Sequence, residues 1–323
     1  MDIKKKSELP WLSVIMPCHN GERWLAITLQ SIVEQNDPGI EVILVDSSAV
    51  DSCLQISARF ADQLNIRTYS RPDLLQWTAK TNFGAGHANS GWICILHQDD
   101  LWLSNRCESL RKWLKAPTNI VMHLHPTYIV DERGKRLGVW RCPLPAGDVP
   151  VSREILIERL LVQNFIAMPA PAIRREAFLS VGGMDEALWY TADWDLYLKL
   201  SEAGGVCYHT MPLACFRIHK SSLTMSGSRS QEEFRKQHEI VRDRYADKLN
   251  ISGSAAATLR LAAASIDVNT ALAAANAGIP RALVKAICSL LSLGPRGLLK
   301  YLSYSRITER AIPRLRARFT RGL

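Results

Sequence analysis

The chain has 323 residues, 47% of them hydrophobic and 22% charged, which is the composition of a folded globular protein. No run approaches the roughly 20 apolar residues of a membrane-spanning helix, and no secretory leader follows the early lysines, so we expect a cytoplasmic protein. The eight cysteines are irregularly spaced and include no C-x-x-C pair, which favours free thiols over a disulfide framework or a zinc site.

The net charge of +9 belongs to the last part of the chain. Residues 281–323 hold ten Lys or Arg and a single acidic residue, Glu309, so residues 1–280 are neutral overall. This basic tail has two interpretations: a solvated helical face, or a helix lying on an anionic membrane surface at the inner face of the membrane. Nucleic-acid binding is disfavoured, because the charge lies at one end and no nucleic-acid motif accompanies it.

Short apolar runs alternate with helical patterns in roughly the first 115 residues. LSVIMP (12–17), IEVILVD (40–46), NIRTYS (65–70) and WICILH (92–97) predict four strands. The segments between them carry apolar residues at helical spacing, and the second of these helices opens at Asp51. The alternation predicts an α/β fold with a doubly wound, mostly parallel sheet.

Two common nucleotide-binding motifs are absent. GAGHANSG (84–91) has the wrong spacing for a dinucleotide fingerprint and precedes a strand instead of following one. No G-x-x-x-x-G-K-[ST] loop occurs anywhere in the chain. These observations exclude nicotinamide enzymes and P-loop NTPases.

The second half of the chain has a different character. Residues 119–142 predict two strands joined by a hairpin at 132–135, and residues 152–163 and about 193–203 predict helices, with short strands reaching Arg217. Residues 230–249 and the Ala/Leu-rich remainder predict further helices. We therefore expect one domain at 1–228, with halves at about 10–115 and 116–228, and a C-terminal helical, basic region at 229–323.

Three predicted strands end in polar loops, at residues 18–22, at Asp46 to Asp51, and at 97–100. Because ligands of an open parallel sheet bind beyond the carboxyl ends of its strands, we expect these loops to form one site. Turn or helix-cap roles are the alternative, above all for Asp51. Asp99 and Asp100 repel each other unless a cation neutralises them, and a divalent ion shared with a phosphate-bearing ligand does so.

Four segments in order resemble the inverting family 2 glycosyltransferases of GT-A fold: VIMPCHNGERWLAITLQSIVEQ, EVILVDSSAVD, NSGWICILHQDDLW and GGMDEALWYTADWDLYLKL, with RIHKSSLT after them. The resemblance covers about residues 11–225. It implies transfer of a sugar from a nucleotide diphosphate donor to a hydroxyl of a glycan or lipid-linked glycan, with inversion. Such an enzyme would serve polysaccharide biosynthesis at the cell envelope.

Matched position by position, the resemblance implies roles for individual residues. The nucleotide-sugar-binding set is Pro17, Asn20, Glu22, Asp46, Ser48, Asn82, Gly84, Gln98 and Asp99, of which Asn82 and Gly84 match a polar turn. The set implied to hold Mn²⁺ or Mg²⁺ is Asp99, Asp100 and His219, although His219 has a structural role as its alternative. His97 stands where many relatives have Asp, so Asp99 is expected to be the principal ligand and the role of His97 stays open.

Helix geometry separates Asp193 from Asp195, because residues two apart do not share a helix face. Asp195 has Lys199 four residues on, which predicts a surface ion pair. Asp193 matches the general base of the family, a role that contributes roughly 10²–10⁴-fold to rate. Its alternative is a charge that compensates the helix dipole. No second carboxylate is identified as the nucleophile of a retaining reaction.

Two rival functions stay open at this point. A non-catalytic sugar-nucleotide-binding or scaffold protein of the same fold is conceivable because of His97. A nucleotidyltransferase shares the sheet and the carboxylate–metal chemistry, but it would carry a Gly-rich basic loop after the first strand, which CHNGERW (18–24) does not provide.

Overall fold

The computed structural model describes residues 9–115, 119–219, 230–249, 255–276 and 278–319. The strands are β1 (Leu12–Cys18), β2 (Ile40–Asp46), β3 (Asn65–Ser70), β4 (Trp92–Ile95), β5 (Leu101–Trp102), β6 (Ile120–Leu124), β7 (Thr127–Val130), β8 (Arg136–Trp140), β9 (Ala172–Arg174), β10 (Gly205–Tyr208) and β11 (Ala214–Arg217). The helices of the first two hundred residues are α1 (Leu25–Val33), α2 (Ser52–Ala58), α3 (Trp77–His87), α4 (Arg106–Trp113), α5 (Arg153–Val162), α6 (Arg175–Ser180) and α7 (Ala192–Ala203). The later helices are α8 (Gln231–Tyr245), a 3₁₀ turn (Ala246–Leu249), α9 (Ala255–Asn276), α10 (Ala282–Leu291), α11 (Gly294–Ser305) and α12 (Ile307–Phe319).

A seven-stranded sheet in the order β10-β6-β9-β4-β1-β2-β3 forms the centre of the molecule. All its neighbouring strands are parallel except β9, which runs antiparallel to both β4 and β6. Alternate residues of β1 enter different cores: Ile15 packs on one side of the sheet, and Val14 and Met16 pack on the other. The predicted α/β fold with a mostly parallel sheet is confirmed.

Helix α3 packs unusually close to the sheet. A Cβ atom added at Gly84 would lie 2.6 Å from Ile15 Cγ2, so only glycine permits this approach. Nearer the start of α3, Lys80 Nζ donates to Cys18 O at the end of β1 at 2.7 Å, so the first turns of α3 lie near the carboxyl edge of the sheet.

Residues 119–142 form three strands, so the prediction of two strands was wrong. Proline lacks a backbone N–H, and His125-Pro126 interrupts the run. Strand β6 therefore stays in the main sheet, whereas β7 and β8 form the predicted hairpin in a second sheet of order β5-β11-β7-β8. Gly134 takes φ +82 in the hairpin turn.

The C-terminal helix α12 is packed against β8. A Cβ at Gly138 would lie 2.8 Å from Pro313 Cγ, so this glycine makes room for the helix. The backbone N–H of Arg141 donates to Glu309 Oε2 at 2.9 Å, and Arg316 Nη1 donates to Leu137 O at 2.9 Å. The predicted domain boundary at residue 228 stays a prediction, but the basic tail contacts the half of the molecule that precedes it.

Within the described residues, no single helix is long and apolar enough to cross a bilayer; α10 and α11, bent by 115° at their junction, meet that test only when taken together. The eight cysteines are free thiols, and seven of them are buried.

Candidate active site

The loops after β1 and β4 are clamped together at the carboxyl edge of the sheet. The backbone N–H of His19 donates to Gln98 Oε1 at 2.8 Å, and Gln98 Nε2 donates back to His19 O at 3.0 Å. A Cβ at Gly21 would lie 2.5 Å from Gln98 Oε1, so glycine is needed beside the clamp. The amide of Gln98, predicted to bind the donor, thus supports the first loop.

Three predicted donor residues form one hydrogen-bonded chain. Ser48 donates to Asp46 Oδ1 through its backbone N–H at 3.1 Å and its hydroxyl at 2.6 Å. The backbone N–H of Asn20 donates to Ser48 Oγ at 2.8 Å, and Asn20 itself takes the left-handed φ of +49. The structure therefore brings the ends of β1 and β2 together, as the strand pattern predicts.

Glu22 and Pro17, two other predicted donor residues, lie outside this hydrogen-bonded chain. Glu22 is exposed on the first loop, where the hydrogen bond from Ser52 Oγ lowers its pKa. Pro17 is buried within β1, in register with Val45 and one residue before the end of the strand.

The expectation that Asn82 and Gly84 lie in a polar turn was wrong, because both are inside α3. Asn82 Nδ2 donates to Met184 O at 2.9 Å and to Glu186 Oε1 at 2.8 Å, while its Oδ1 accepts from the backbone N–H of Met184. Its amide thus holds the loop before α7, and Gly84 packs against β1. A role for either residue in binding the donor stays a prediction.

Lys80 lies in the donor region and has no signature in the sequence. It is 2% exposed, and its Nζ donates to Cys18 O and Ser47 Oγ, each at 2.7 Å. Burial lowers the pKa of Lys80 to about 8, against the nearby Cys18 and Asp46, which raise it. The Lys80 ammonium therefore connects the loops after β1 and β2 from the buried side of the site.

The two adjacent carboxylates have different environments. Asp99 Oδ2 lies 2.6 Å from His219 Nε2. Burial opposes ionisation of Asp99, but the hydrogen bond from His219 and the charge of His97 outweigh it and lower its pKa. His219, predicted as a metal ligand, thus contacts the principal predicted ligand.

Asp100 is buried, and its Oδ1 accepts the backbone N–H of Arg217 at 3.0 Å. Burial and the neighbouring Asp99 raise the pKa of Asp100 well above its usual range. The guanidinium of Arg217 also holds the turn, donating to Asp99 O at 2.9 Å and Asp131 O at 3.0 Å. The two carboxyl groups thus have pKa values shifted in opposite directions, with that of Asp99 lowered and that of Asp100 raised.

His97, Asp99 and Asp100 each offer a ligand atom, and these atoms lie within 4.8 Å of one another. His97 Nε2 is buried without a hydrogen-bond partner among the described residues. An imidazole with a buried, unpartnered nitrogen next to two carboxylates fits a divalent cation, and imidazole suits Mn²⁺ better than Mg²⁺. A second group, Cys18, Asp46 and Cys53, meets the same distance test. Lys80 next to that group makes it a poorer site for a cation.

Asp193 is the second residue of α7 and faces the pocket that Asp99 and Asp100 line. Its Oδ2 accepts from Asn164 Nδ2 at 2.9 Å, and its Oδ1 accepts the backbone N–H of Trp194 at 2.8 Å. Burial raises the pKa of Asp193 from 3.8 to about 6, in opposition to these two hydrogen bonds. A carboxylate with a pKa near 6 suits a general base.

The prediction of a surface ion pair for Asp195 was wrong. Lys199 does lie 2.9 Å from Asp195, but the Asp195 side chain is fully buried. Arg244 Nη1 at 2.6 Å and Tyr245 Oη at 3.0 Å, both from α8, approach its other carboxylate oxygen. The two carboxylates point in different directions, as helix geometry requires, and the one facing away from the pocket anchors α8.

The pocket has a volume of about 170 Å³. Its polar lining includes His97, Asp99, Asp100, Arg217, Asp193 and Asn164. Aromatic rings from four separate parts of the chain complete much of the wall: Trp77, Trp140, Tyr190 and Phe216. Helix α12 contributes Arg310 and Arg314, two residues that no sequence pattern predicts to lie here.

This fold is that of the GT-A glycosyltransferases, and its pocket contains acidic residues from a strand end together with the half-buried carboxylate of Asp193. The solved structures it resembles include S. aureus TarS in complex with UDP-GlcNAc, with a TM-score of 0.60, 15% identity and coverage of 86% of this chain and 88% of that one. A mannosyltransferase from Pyrobaculum calidifontis in complex with GDP-Man and Mn²⁺ is also similar, with a TM-score of 0.55, 16% identity and coverage of 96% and 88%.

The sequence comparisons identify the family. The Glycosyl transferase family 2 model matches residues 13–178, and the chain belongs to this family. An uncharacterized glycosyltransferase of Haemophilus influenzae is 26% identical over 253 residues, covering 75% of this chain and 82% of the relative. One from Rickettsia typhi is 24% identical over 235 residues, covering 72% and 71%. The protein is a glycosyltransferase, and Asp193, His219 and α12 lie beyond the matched span.

Proposed function

We propose that the protein transfers a sugar from a nucleotide diphosphate sugar to a hydroxyl of a glycan or lipid-linked glycan, with inversion at the anomeric carbon. The observation that carries this proposal is Asp193, a half-buried carboxylate with a pKa near 6 in the pocket that also contains Asp99 and Asp100. Inversion needs one displacement and one base, and a single carboxylate in this position meets that need.

The donor would lie across the loops after β1, β2 and β4. Asp46, Ser48 and Asn20 would face the nucleoside, since their hydrogen-bonded chain lies where the first two strands end. His97, Asp99 and Asp100 would hold Mn²⁺ or Mg²⁺. Bound there, the ion would stabilise the negative charge that develops on the leaving diphosphate.

In this arrangement the chain's own residues move one proton. Asp193 takes it from the acceptor hydroxyl, whose oxygen forms the new bond to the anomeric carbon as the bond to the diphosphate breaks. Asn164 and the N–H of Trp194 hold the carboxylate in a fixed orientation during this step. Aromatic rings around the pocket exclude water that would otherwise compete with the acceptor.

The experiment is calorimetric titration of the full chain with UDP-, GDP- and dTDP-sugars, with and without Mn²⁺. Asp99→Asn should abolish the metal-dependent part of donor binding. Asp51→Asn is the matched control, because Asp51 is an exposed carboxylate at the same edge whose side chain forms no cap hydrogen bond. Folded protein that binds no nucleotide sugar would overturn the proposal, as would a transfer product whose anomeric configuration, read by NMR, is retained.

We further propose that the basic C-terminal region places the enzyme at the inner face of an anionic membrane. Val284, Ile287 and Leu291 are 62%, 55% and 70% exposed, and their spacing puts them on one face of α10. Arg281 and Arg296 are exposed near the two ends of this helix. An exposed apolar face flanked by cations matches the chemistry of an anionic lipid surface.

Vesicle sedimentation tests this second proposal. The full chain should bind vesicles containing phosphatidylglycerol, and Leu291→Gln should weaken the binding. Leu75→Gln is the control, because Leu75 is also 70% exposed but belongs to the loop between β3 and α3 in the donor half. Equal binding by both variants, or equal binding to purely zwitterionic vesicles, would refute the proposal.

A further inference from the structure

Helix α12 directs two cations into the active-site pocket. Arg310 and Arg314 are one helical turn apart, and both line the pocket that contains Asp193. The guanidinium carbon of each lies 5.9 Å from the centre of the Trp140 ring. The contacts of α12 with β8 described above hold the helix in this position.

Arg310 is buried without a counter-charge. It is 8% exposed, and its Nε and Nη2 have no hydrogen-bond partner among the described residues. Within that part of the chain, neither Arg310 nor Arg314 forms an ion pair with a carboxylate; Arg314 Nη1 donates to the backbone oxygen of Arg310 at 3.0 Å. Residues 220–229, which follow His219, contain no acidic side chain that could supply the missing charge.

Arg217, another buried arginine of the pocket, differs from Arg310 because its guanidinium has hydrogen-bond partners. Arg217 Nη1 donates to Asp131 O at 3.0 Å and its Nε donates to Asp99 O at 2.9 Å. Burial and the neighbouring Arg314 lower the pKa of Arg310 to about 10, which still leaves the group charged at neutral pH. A buried, charged and unpaired guanidinium is unfavourable unless an anion arrives to pair with it.

The position of Arg310 and Arg314 in the pocket favours contact with the acceptor over contact with the donor. Among the described residues that line the pocket, none belongs to residues 17–48, where the donor nucleoside is proposed to bind. Arg310, Arg314 and Trp140 instead come from β8 and α12, in the same pocket as the proposed base. Guanidinium groups bind phosphate and carboxylate oxygens through paired hydrogen bonds. Two guanidinium groups one helical turn apart can bind the same phosphate or carboxylate.

We propose that Arg310 and Arg314 bind an anionic group of the acceptor, a phosphate or a carboxylate, next to the hydroxyl that Asp193 deprotonates. This inference rests on the proposed function for the identity of the reaction. The acceptor is then an acidic or phosphate-bearing glycan or glycolipid, and a neutral sugar of the same shape is a poor substrate. The basic residues at the end of the chain thereby serve selection of the substrate.

Calorimetric titration of the full chain, with Mn²⁺ and a nucleoside diphosphate filling the donor site, tests the proposal. The probes are glycerol 1-phosphate, methyl glucuronide and, as the neutral partner, methyl glucoside. We expect one or both anionic probes to bind, and the arm that binds distinguishes phosphate from carboxylate. Arg310→Gln should weaken that binding by about tenfold or more, the effect of losing charge-assisted hydrogen bonds.

Arg296→Gln is the matched control, because Arg296 is an exposed arginine of the neighbouring helix α11 that does not line the pocket. It should leave probe binding unchanged, and Arg310→Lys should restore part of what Arg310→Gln loses. Arg310→Gln should also raise the thermal midpoint, because it removes an unpaired buried charge. A lower midpoint with unchanged probe binding would instead make Arg310 a structural residue. Arg314→Gln provides an independent variant of the same site.

The remaining outcomes are separable. Equal binding of the neutral and anionic probes overturns the inference while leaving the proposed function intact. If Arg310→Gln weakens nucleotide binding and not probe binding, the arginines contact the donor diphosphate and the inference is wrong. If the protein binds no nucleotide but Arg310→Gln still abolishes probe binding, the proposed function fails and the anion site stands.

Discussion

Asp193→Asn should remove catalysis while leaving the fold and the donor site in place. The amide has the shape of the carboxylate and keeps one acceptor for the two donors, Asn164 Nδ2 at 2.9 Å and the Trp194 N–H at 2.8 Å. The pKa of Asp193 is raised from 3.8 to about 6. That difference corresponds to at most about 3 kcal/mol of cost for the ionised form at neutral pH, less what solvent screening removes at a half-buried group.

The substitution relieves this cost and loses one hydrogen bond, worth about 1–3 kcal/mol. The two effects oppose each other, so the free energy of unfolding should change by no more than about 2 kcal/mol. The rate of transfer should fall by roughly 10²–10⁴-fold, because a general base is lost.

Asp193 should also determine how kcat/KM and the stability of the wild type change with pH. With a pKa near 6, Asp193 is about 90% ionised at pH 7 and about 10% ionised at pH 5, so kcat/KM of the wild type should fall about tenfold between them. The stability of the wild type moves in the opposite direction. A raised carboxyl pKa stabilises the fold below the unfolded value near 4, and that contribution is lost as pH rises through 6. The Asp193→Asn variant should show neither dependence.

The assay is release of nucleoside diphosphate, followed from pH 4.5 to pH 8 for both proteins, with donor affinity measured separately by calorimetry. The reasoning is refuted if Asp193→Asn keeps the acidic limb of the profile. It is also refuted if the rate changes only a few-fold, or if donor affinity falls in step with the rate.

Three further predictions follow from packing and burial. Gly21→Ala should cost about 1–3 kcal/mol of unfolding free energy in denaturant titration, because its Cβ would meet the side-chain amide of Gln98 at 2.5 Å. Gly86→Ala, whose Cβ would have nothing within 4 Å, should instead gain about 0.5–1 kcal/mol. Equal effects of the two substitutions would contradict the role of Gly21 beside the clamp. Asp195→Ala should cost about 1–3 kcal/mol, because it removes the buried carboxylate that pairs with Lys199 and Arg244, while Arg244 keeps Asp185 at 3.0 Å; a surface pair would cost less than about 1 kcal/mol. Because the pKa of Lys80 is lowered to about 8 from 10.5, the wild type should gain up to about 3 kcal/mol relative to Lys80→Met as pH rises through that interval, and a pH-independent difference would argue against its burial.

The strand ends of the donor half could be predicted because each rests on a local pattern. A short β-branched run followed by polar residues places Asp46 and Asp99 at the end of a strand, and parallel pairing then brings those ends together. The opposite directions of Asp193 and Asp195 likewise follow from helix geometry alone. What α7 packs against does not, because the Arg244 that buries Asp195 comes from a helix almost fifty residues later.

Three residues of the site could not be predicted from the sequence, for a different reason. Lys80, Arg310 and Arg314 lie within helices, and no spacing rule distinguishes a lysine or arginine that points inward from the many that point to solvent. Only the tertiary arrangement reveals that Lys80 lies beneath two loops and that α12 borders the pocket. The hairpin region was partly misread for a simpler reason, since the proline at 126 was the available sign of a strand break.

The division of the pocket between two distant stretches of chain has a consequence for how this enzyme can diversify. The residues proposed to hold the donor and its metal ion lie between Asn20 and Asp100, inside the span shared with the family, whereas the two arginines belong to a helix outside it. Substitutions in α12 could therefore change which acceptor is glycosylated without altering the donor loops. A small set of chimaeras exchanging only that helix would then behave as enzymes of the same donor and new acceptors.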